Sequence, residues 1–573
     1  MKTIIEILTE KVSEAFNACG YSAELGIVKA SDRPDLCQFQ CNGAFSAAKL
    51  YKKVPTAIAN DVVKPLLSDG IFKKISVEGA GFINIDVSNA FLLKYLDEIL
   101  LDPYLGIKQS EKHETIFLDY GGPNAAKPLH VGHMRSAIIG ESLKRLAEAT
   151  GRKTISDVHL GDWGLPMGLV MAELEDRNNC GENMSLNSGE WDTIYALASQ
   201  KSKENQQFKQ KAQEITDKLQ KGDKRYLSIW KKIMEISIAN IKANYKVLGV
   251  SFDLWNGESD AEKYIPELIE ILESRNLLKE SLGAKVVDVS LPYDNAPIPP
   301  IIIKKSNGSN IYATTDLATI LVRHKFYNPN EIWYIVDNRQ SLYFTQVFRC
   351  ARKASLVPAE TILLHLCFGT MNGSDGKPYK TRDGGVMKLS DFYDTVYNTV
   401  YERVSSSTFS EYSDKQEISQ KIAIAAIKFG DLINHRAKDY IFDIEKFTAS
   451  EGKTGTFLLY TIARINSILK KVDNDDANLT AHEVYSDTEK ELILILALSN
   501  RVFELAYNEK APNLVCENAY KIASAFSKFY SENHIINETK YCKKATWLYL
   551  CRATKTLLQK HLDILGIESV ELM

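Results

Sequence analysis

Hydrophobic residues follow two different spacings along this chain, and the spacing changes from region to region. Near the N-terminus, "TIIEILTEKVSEAFNACG" and "PTAIANDVVKPLLSDG" place apolar residues at helical spacing, which predicts two amphipathic helices. The later stretch "KKISVEGAGFINIDVS" alternates apolar and polar positions, which predicts a strand with a Gly-X-Gly turn. Residues 1–110 are therefore expected to form a small α+β domain.

Buried strands then alternate with helical patterns over residues 111–394. The predicted strands lie in "ETIFLDYGGPN", "TISDVHLGDWG", "EIWYIVDNRQ" and "ETILLHLCFGTM". Strands separated by helices indicate a parallel sheet, and such a sheet binds ligands at the carboxyl ends of its strands. This region is therefore expected to be an α/β domain.

Two further regions have helical patterns. From about 172 to 300, a polar segment rich in Lys and Glu interrupts the α/β pattern, and we expect most of it to be a solvated helical insertion rather than part of an active site. From 395 to 573 the pattern is almost wholly helical, which predicts an all-α domain.

Composition narrows the class of protein. A chain of 573 residues is too long for one hydrophobic core, and 45% hydrophobic with 25% charged residues is typical of a globular protein. The net charge of −3 does not indicate a nucleic-acid partner, so any such binding must come from local patches. No apolar run approaches the roughly eighteen residues of a membrane span, and acidic residues within the N-terminal apolar stretch argue against a secretory signal. These features favour the cytoplasm.

The nine cysteines are scattered and do not form a disulfide framework. Cys37 and Cys41 are the closest pair, but no second pair of Cys or His residues lies nearby to complete a tetrahedral site. We therefore expect reduced thiols and no zinc.

The strongest chemical signal is "PNAAKPLHVGHMRSAIIG", residues 123–140. Pro128 fits a helix start, and His130 and His133 then share one face of the first turn. Gly132 leaves the backbone open, and Lys127 adds positive charge beside the unpaired N–H groups of the helix N-terminus. These groups together suit a phosphate. The alternative is a helix that begins with two histidines by accident, and this stretch alone does not decide between them.

The segment "HVGH" is similar to the HIGH signature of class I aminoacyl-tRNA synthetases, and the longer stretch resembles the arginyl-tRNA synthetase family. The resemblance implies a catalytic role for His130 and His133, which with Gly132 and the helix N-terminus would hold the phosphates of ATP. It also implies magnesium bound through those phosphates, while an amino-acid carboxylate attacks the α-phosphorus. Physical chemistry agrees, because such transfers depend on positioning and on stabilising charge on phosphate oxygens.

A second, lysine-containing loop is expected in this class. At the corresponding place stands "DGKPYKTRDGG", which resembles the KFKTRSG variant of the arginyl family but has Pro378 where a second lysine is common. Lys377, Lys380 and Arg382 would supply mobile positive charge to the ATP phosphates, although such a loop alone is usually a solvated turn. The resemblance also gives Lys127 a catalytic role, because the family lysine before HIGH is thought to replace charge that the altered loop lacks.

A guanidinium substrate requires carboxylates and neutral acceptors. In "NGSNIYATTDLATILVRH", Tyr312 and Asp316 face the same way along a helix, although Asp316 could merely complement the helix dipole. The stretch resembles the arginyl block "SDG-x-x-LYATRDLA", with Asn307 and Thr315 as departures. The resemblance implies that Tyr312 and Asp316 contact the guanidinium and that Glu258 is a further acid near it. An exposed loop glutamate is the alternative for Glu258.

The α-amino end of the substrate is expected near the strand ends. Asp119, Asn124 and Gln340 follow predicted strands of the sheet, where an α/β fold binds ligands. His159 lies at another strand end and is assigned to the pocket wall, with a hydrogen-bonded structural histidine as the alternative.

Two terminal regions resemble RNA-binding domains of the arginyl family. Between Lys540 and Lys560 every formally charged residue is basic, and with the aromatic residues Tyr530 and Trp547 nearby this suits phosphate contact and base stacking. A basic helix that packs on its aromatic face is the alternative. The resemblance implies an all-α anticodon-binding domain with Met573 close to the anticodon loop, and an N-terminal domain that contacts the tRNA elbow.

Taken over nearly the whole chain, the resemblance implies a Rossmann-type catalytic domain that attaches arginine to its tRNA. It implies a monomer without an editing domain, whose amino-acid activation needs bound tRNA. Three alternatives stay open: another class I synthetase, an inactive tRNA-binding paralogue, and a nucleotidyltransferase that uses no tRNA.

Overall fold

A computed structural model describes residues 1–125, 127–177, 188–306, 308, 310–379, 387–406, 414–472 and 480–571. The N-terminal unit packs four helices on an antiparallel sheet of strand order β1-β2-β4-β3. Its elements are α1 (Ile4–Ala18), β1 (Val28–Ala30), β2 (Phe39–Cys41), α2 (Gly43–Tyr51), α3 (Pro55–Leu66), β3 (Phe72–Glu78), β4 (Phe82–Val87) and α4 (Asn89–Leu101). Both predicted helices are confirmed, and the alternating stretch forms the β3–β4 hairpin.

The α/β region begins with two strand–helix units: β5 (Thr115–Tyr120), α5 (Val131–Ala149), β6 (Lys153–Asp157) and α6 (Leu165–Asp176). The insertion follows with α7 (Ser188–Glu204), α8 (Gln206–Gln220), α9 (Lys224–Val247), α10 (Glu258–Glu262), α11 (Ile265–Ser274), β7 (Leu278–Ser281), β8 (Ala284–Val287) and β9 (Ile301–Lys304). The α/β pattern then resumes with α12 (Tyr312–Tyr327), β10 (Glu331–Ile335), α13 (Ser341–Lys353), β11 (Ile362–His365) and β12 (Met371–Asn372).

Strands β5, β6, β10 and β11 form the predicted parallel sheet, in the order β11-β10-β5-β6. Residues of β5 are nearly all buried, because helices cover both faces of a parallel sheet. The carboxyl ends of β5 and β10 meet at one edge, since Ile335 pairs with Tyr120.

The insertion is helical as expected over α7–α9, but its end was not predicted. There, β7, β8 and β9 form a three-stranded antiparallel sheet. The β7–β8 hairpin turns at Leu282 and Gly283, both with positive φ. Four-residue strands, of which β7 is largely exposed, are too short to give a clear alternation.

The C-terminal region is helical, as predicted. It comprises α14 (Leu389–Ser406), α15 (Lys415–Leu432), β13 (Tyr440–Ile441), α16 (Ile444–Phe447), α17 (Gly455–Lys470), α18 (Asp487–Ala497), α19 (Ser499–Glu509), α20 (Pro512–Glu532) and α21 (Tyr541–Ile564). The two-residue strand β13 pairs in parallel with β12. None of the helices described is long and apolar enough to cross a bilayer.

Candidate active site

A cavity of about 540 Å³ opens at the carboxyl ends of β5 and β10. This is the edge where the parallel sheet was predicted to bind ligands. Its lining includes many of the residues singled out in the sequence: Asp119, Asn124, His130, Gly132, His133, His159, Glu258, Tyr312, Asp316 and Gln340. The cavity therefore brings together both histidines and all seven residues expected around an amino acid.

The histidine pair is fixed by the start of α5. Helix α5 begins at Val131 rather than at Pro128, and His130 is its N-cap. The Nδ1 atom of His130 accepts the backbone N–H of Gly132 at 3.1 Å, and the Nδ1 atom of His133 accepts the N–H of His130 at 3.1 Å. Because both Nδ1 atoms accept, a neutral ring carries its proton on Nε2 and presents it as a donor.

Both imidazoles are neutral at physiological pH. Burial, together with the charges of Lys127 and Arg339, lowers the pKa of His130 to about 4. Burial, with the charges of His130 and Lys127, holds the pKa of His133 well below its usual range. The two rings, tilted by 31° with their centres 3.8 Å apart, therefore do not repel each other by charge. A Cβ on Gly132 would lie 2.9 Å from Cε1 of His130, so the glycine also makes room for this ring.

The positive charges that act on the histidine pair from neighbouring residues belong to Lys127 and Arg339. The Lys127 ammonium lies 5.3 Å from the ring centre of Tyr195 on α7. Lys377 is exposed in a tight turn, where its carbonyl accepts the N–H of Gly373 at 2.8 Å and its N–H donates to Asp375 at 3.0 Å. Lys380, Arg382 and Asn307 lie outside the described residues.

Both ends of the lysine loop are tied to α5. At the far end, the N–H of Val131 donates to the Met387 carbonyl at 3.3 Å, and the N–H of Leu389 donates to the Leu129 carbonyl at 2.9 Å. At the near end, Arg135 donates to the Gly369 carbonyl and forms an ion pair with Asp431 at 2.7 Å. Arg135 and Asp431 are 1% exposed each and were missed in the sequence, although an arginine in a buried helix is a signal for a partner.

Three side chains form an acidic wall of the cavity. Tyr312 begins α12, Asp316 follows one turn later, and Glu258 begins α10. Asp316 does not cap its helix; its carboxylate accepts the hydroxyl of Tyr343 instead. Glu258 is half-buried and lines the cavity, so the alternative of an exposed loop glutamate is wrong.

Burial destabilises the charged form of both carboxylates in this acidic wall. Burial, together with the charges of Asp316 and Asp162, raises the pKa of Glu258 to about 8. Burial also raises the pKa of Asp316. Arg323 pairs instead with Asp119 at 2.7 Å and Asp157 at 3.1 Å, and no ion pair among the described residues involves Glu258 or Asp316. Two desolvated carboxylates that form no ion pair within the described part of the chain are suited to a cationic ligand.

The remaining expected residues lie around the same cavity. Asp119 is the penultimate residue of β5 and is 8% exposed, and Gln340 ends a short 3₁₀ turn that follows β10. His159 has positive φ, and its two ring nitrogens are buried without a hydrogen-bond partner in the described part of the chain. This placement argues against a hydrogen-bonded structural histidine. Sequence reasoning missed Arg323 and Tyr343, because they reach Asp119 and Asp316 only through the tertiary fold.

Of the three residues predicted to contact RNA, Trp547 is buried, Tyr530 is half-buried and Met573 lies outside the described residues. Trp547 is 3% exposed, and its indole N–H donates to Glu489 at 2.8 Å, so its ring belongs to the helical core and is not available for base stacking. Tyr530 is half-buried beside a surface recess of about 220 Å³, where the Arg464 guanidinium lies 4.5 Å from the Tyr460 ring and 5.0 Å from the Tyr530 ring.

A parallel sheet that places a histidine pair at the N-terminus of the helix after its first strand fits a class I aminoacyl-tRNA synthetase, and a class I catalytic-domain model matches this region. Three family models match the chain: an arginyl-tRNA synthetase N-terminal domain over 2–87, a class I (R) tRNA synthetase catalytic domain over 95–444, and a DALR anticodon-binding domain over 458–573. The chain belongs to the arginyl-tRNA synthetase family.

Relatives match along the whole chain. Proteins named arginine–tRNA ligase from Alkaliphilus oremlandii and Agathobacter rectalis are 44% and 43% identical, each over 100% of both chains. The arginyl-tRNA synthetase structures of Plasmodium falciparum and Thermus thermophilus superpose with TM-scores of 0.84 and 0.81 over 100% of both chains. Because these two structures are only 23% and 20% identical to the chain, the superposition shows a shared fold and no more.

Proposed function

We propose that this protein is an arginine–tRNA ligase. It activates L-arginine with ATP to arginyl-adenylate and transfers the arginyl group to the 3′ end of tRNA(Arg), releasing pyrophosphate and AMP. The observation that carries the proposal is one cavity with two different walls. Unpaired carboxylates line one wall, and a neutral histidine pair at a helix N-terminus lines the other. The first wall suits a guanidinium and the second a polyphosphate.

In the first step, an oxygen of the arginine carboxylate attacks the α-phosphorus of ATP, and the bond from that phosphorus to the pyrophosphate oxygen breaks. His130 and His133 donate Nε2–H groups to phosphate oxygens, and the α5 N-terminus at Gly132 adds its dipole. Lys127, Lys377 and Lys380 neutralise the departing pyrophosphate. ATP enters as its magnesium complex, and no zinc is required.

In the second step, a ribose hydroxyl of the terminal tRNA nucleotide attacks the arginyl carbonyl carbon. The bond from that carbon to the AMP phosphate oxygen breaks, and the hydroxyl proton passes to a phosphate oxygen of the departing AMP. The histidine pair has low pKa values and holds the phosphate of the departing AMP by hydrogen bonds rather than by charge.

The amino acid is held at both ends. Tyr312, Asp316 and Glu258 contact the guanidinium, while Asp119, Asn124 and Gln340 surround the α-amino group and His159 completes the wall. Arg323 contacts the Oδ2 atom of Asp119, which leaves Oδ1 to accept an N–H of the α-amino group. A shorter or neutral side chain leaves the acids unpaired, which can cost about 10⁴-fold in specificity and makes an editing domain unnecessary.

Binding of tRNA extends over the flanking domains. We assign residues 1–110 to the tRNA elbow, 111–394 to catalysis with an insertion at about 172–300, and 395–573 to the anticodon. Tyr530, Tyr460 and Arg464 offer stacking surfaces for anticodon-loop bases, and Met573 lies close to that loop. The enzyme is proposed to act as a monomer in the cytoplasm, which supplies ATP and tRNA.

Exchange of labelled pyrophosphate into ATP tests the activation step. We expect exchange with arginine when tRNA(Arg) is present and little exchange without tRNA. Equal exchange with lysine, or none with arginine, contradicts the proposed activity. Rapid exchange without RNA contradicts only the tRNA requirement.

A further inference from the structure

Asp316 receives a hydrogen bond from a residue that the sequence did not single out. The hydroxyl of Tyr343 donates to Oδ2 of Asp316, and both side chains line the cavity. We propose that Tyr343 is a positioning residue that fixes the Asp316 carboxylate in the orientation required by the substrate guanidinium. This inference rests on the proposed arginine pocket.

The fold holds the Tyr343 ring in place from behind. Tyr343 lies in the first turn of α13, directly after the 3₁₀ turn Asn338–Gln340 that follows β10. Its ring meets Phe344 edge-on at 5.5 Å, and Phe344 packs on Tyr334 at 5.1 Å and stacks on His365 at 4.7 Å. These contacts keep the hydroxyl directed at Asp316.

The hydrogen bond divides the two oxygens of Asp316 between protein and substrate. Tyr343 occupies Oδ2, which leaves Oδ1 for a guanidinium N–H. A carboxylate can rotate about its terminal torsion, and the hydrogen bond selects one plane from this broad range. Because a guanidinium is planar with donors in a rigid fork, it is sensitive to that plane, whereas an ammonium group is not.

Tyr343 also favours the charged form of Asp316. Burial raises the pKa of Asp316, and the donated hydrogen bond opposes that rise. Burial and the charge of Asp316 hold the pKa of Tyr343 well above its usual range, so the tyrosine stays a donor throughout the range of enzyme assays. Loss of the Tyr343 hydroxyl should therefore free the Asp316 carboxylate to rotate and lower its charged fraction.

Steady-state aminoacylation by Tyr343→Phe tests the proposal. We expect KM for arginine to rise about 10-fold or more, the typical effect of a hydrogen bond to a charged group, with KM for ATP changed less than about twofold. The acid limb of kcat/KM for arginine should move to higher pH, because Asp316 then takes up a proton more readily. The preference for arginine over lysine should fall, since only arginine needs the fixed plane.

Tyr226→Phe is the matched control. Tyr226 on α9 is 6% exposed and donates its hydroxyl to Glu175 at 3.2 Å, outside the cavity. This variant loses the same type of bond and should keep the KM for arginine, the pH profile and the arginine preference of the unmodified protein.

Asp316→Asn separates the inference from the function on which it rests. If Asp316→Asn raises KM for arginine and Tyr343→Phe does not, the positioning role is wrong and the pocket stands. If neither variant changes KM for arginine, both are wrong. A rise in KM for arginine and ATP alike in Tyr343→Phe, without a shifted acid limb, would show general disruption and also overturn the positioning role.

Discussion

At the scale of single residues, the site works through groups whose charge is set by burial. The histidine pair has lowered pKa values, so under the proposed function it would stabilise phosphate charge through Nε2–H donors rather than as imidazolium. The acidic wall suits a ligand of opposite charge, because its buried carboxylates favour a cation. Each wall therefore has a separate test.

His133→Ala should lower the rate of adenylate formation by about 100-fold or more, because it removes a donor to phosphate oxygens in the transition state. Affinity for tRNA should change little, since His133 lies in the cavity and not on the RNA-binding domains. Pyrophosphate exchange with tRNA present and a tRNA binding titration measure the two effects. His113→Ala, at an exposed histidine, is the control. A matching loss of tRNA affinity would indicate a structural role for His133.

The pH dependence follows from Glu258, whose pKa in the free protein is about 8 because it is buried beside other acids. A guanidinium binds the charged carboxylate, and the charged fraction grows as pH rises towards that pKa. We expect kcat/KM for arginine to increase from pH 6 through about 8 and to level off only above that pKa, with no such limb in KM for ATP. A flat profile between pH 6 and 8 would contradict a raised pKa at Glu258.

The sequence predicted residues whose role depends on their neighbours along the chain, and it missed residues whose role depends on partners distant in the sequence. Tyr312 and Asp316 were found because helical spacing places them together, and His130 and His133 because they open a helix. Tyr343 was missed because its partner is 27 positions away. Trp547 was assigned wrongly because a basic, aromatic helix does not reveal from its sequence which face is buried.

At the scale of elements, α5 organises the site. Its N-terminus presents the histidines, and one turn later Arg135 donates to the carbonyls of Gly369 and Arg436 and pairs with Asp431 on α15. Arg436 in turn donates to the carbonyls of Cys367 and Lys510. The base of the lysine loop is thus joined by hydrogen bonds to the histidine helix and to the junction of α19 and α20.

Arg135→Leu should destabilise the protein by about 3–5 kcal/mol, because it leaves Asp431 buried without its partner. Chemical denaturation measures the effect, and Arg135→Leu with Asp431→Leu should recover part of it. Lys2→Ala, at an exposed pair with Glu10, should leave the free energy of unfolding nearly unchanged, because solvent screens that pair. Equal costs for the buried and exposed pairs would contradict the role of this cluster.

Element prediction succeeded where periodic patterns were long. The four strands of the parallel sheet and the helical C-terminal region agree with the sequence analysis. The insertion was expected to stay outside the site, yet Gln213, Thr216 and Asp217 of α8 line a second cavity that shares Glu258 and Tyr312 with the first. Polarity alone does not distinguish a solvated helix face from one that borders a polar cavity.

At the scale of the whole molecule, the terminal domains contact each other and the catalytic domain. Tyr549 on α21 donates to Asp97 on α4 at 2.5 Å, which joins the C-terminal helix to the N-terminal unit. Arg145 on α5 donates to the Asp563 carbonyl at the end of α21 at 3.1 Å. The end of α21 therefore rests on the helix that carries the histidine pair, and tRNA bound to the terminal domains would lie against parts in direct contact with the site.

The most direct test of the account is aminoacylation by the whole chain. Purified protein is mixed with ATP, magnesium, bulk tRNA and each of the twenty amino acids in turn, and charged tRNA is measured. Arginine alone should become attached, because only its guanidinium satisfies both unpaired carboxylates. Charging with another amino acid at a comparable rate, or no charging despite tight tRNA binding, would contradict the account.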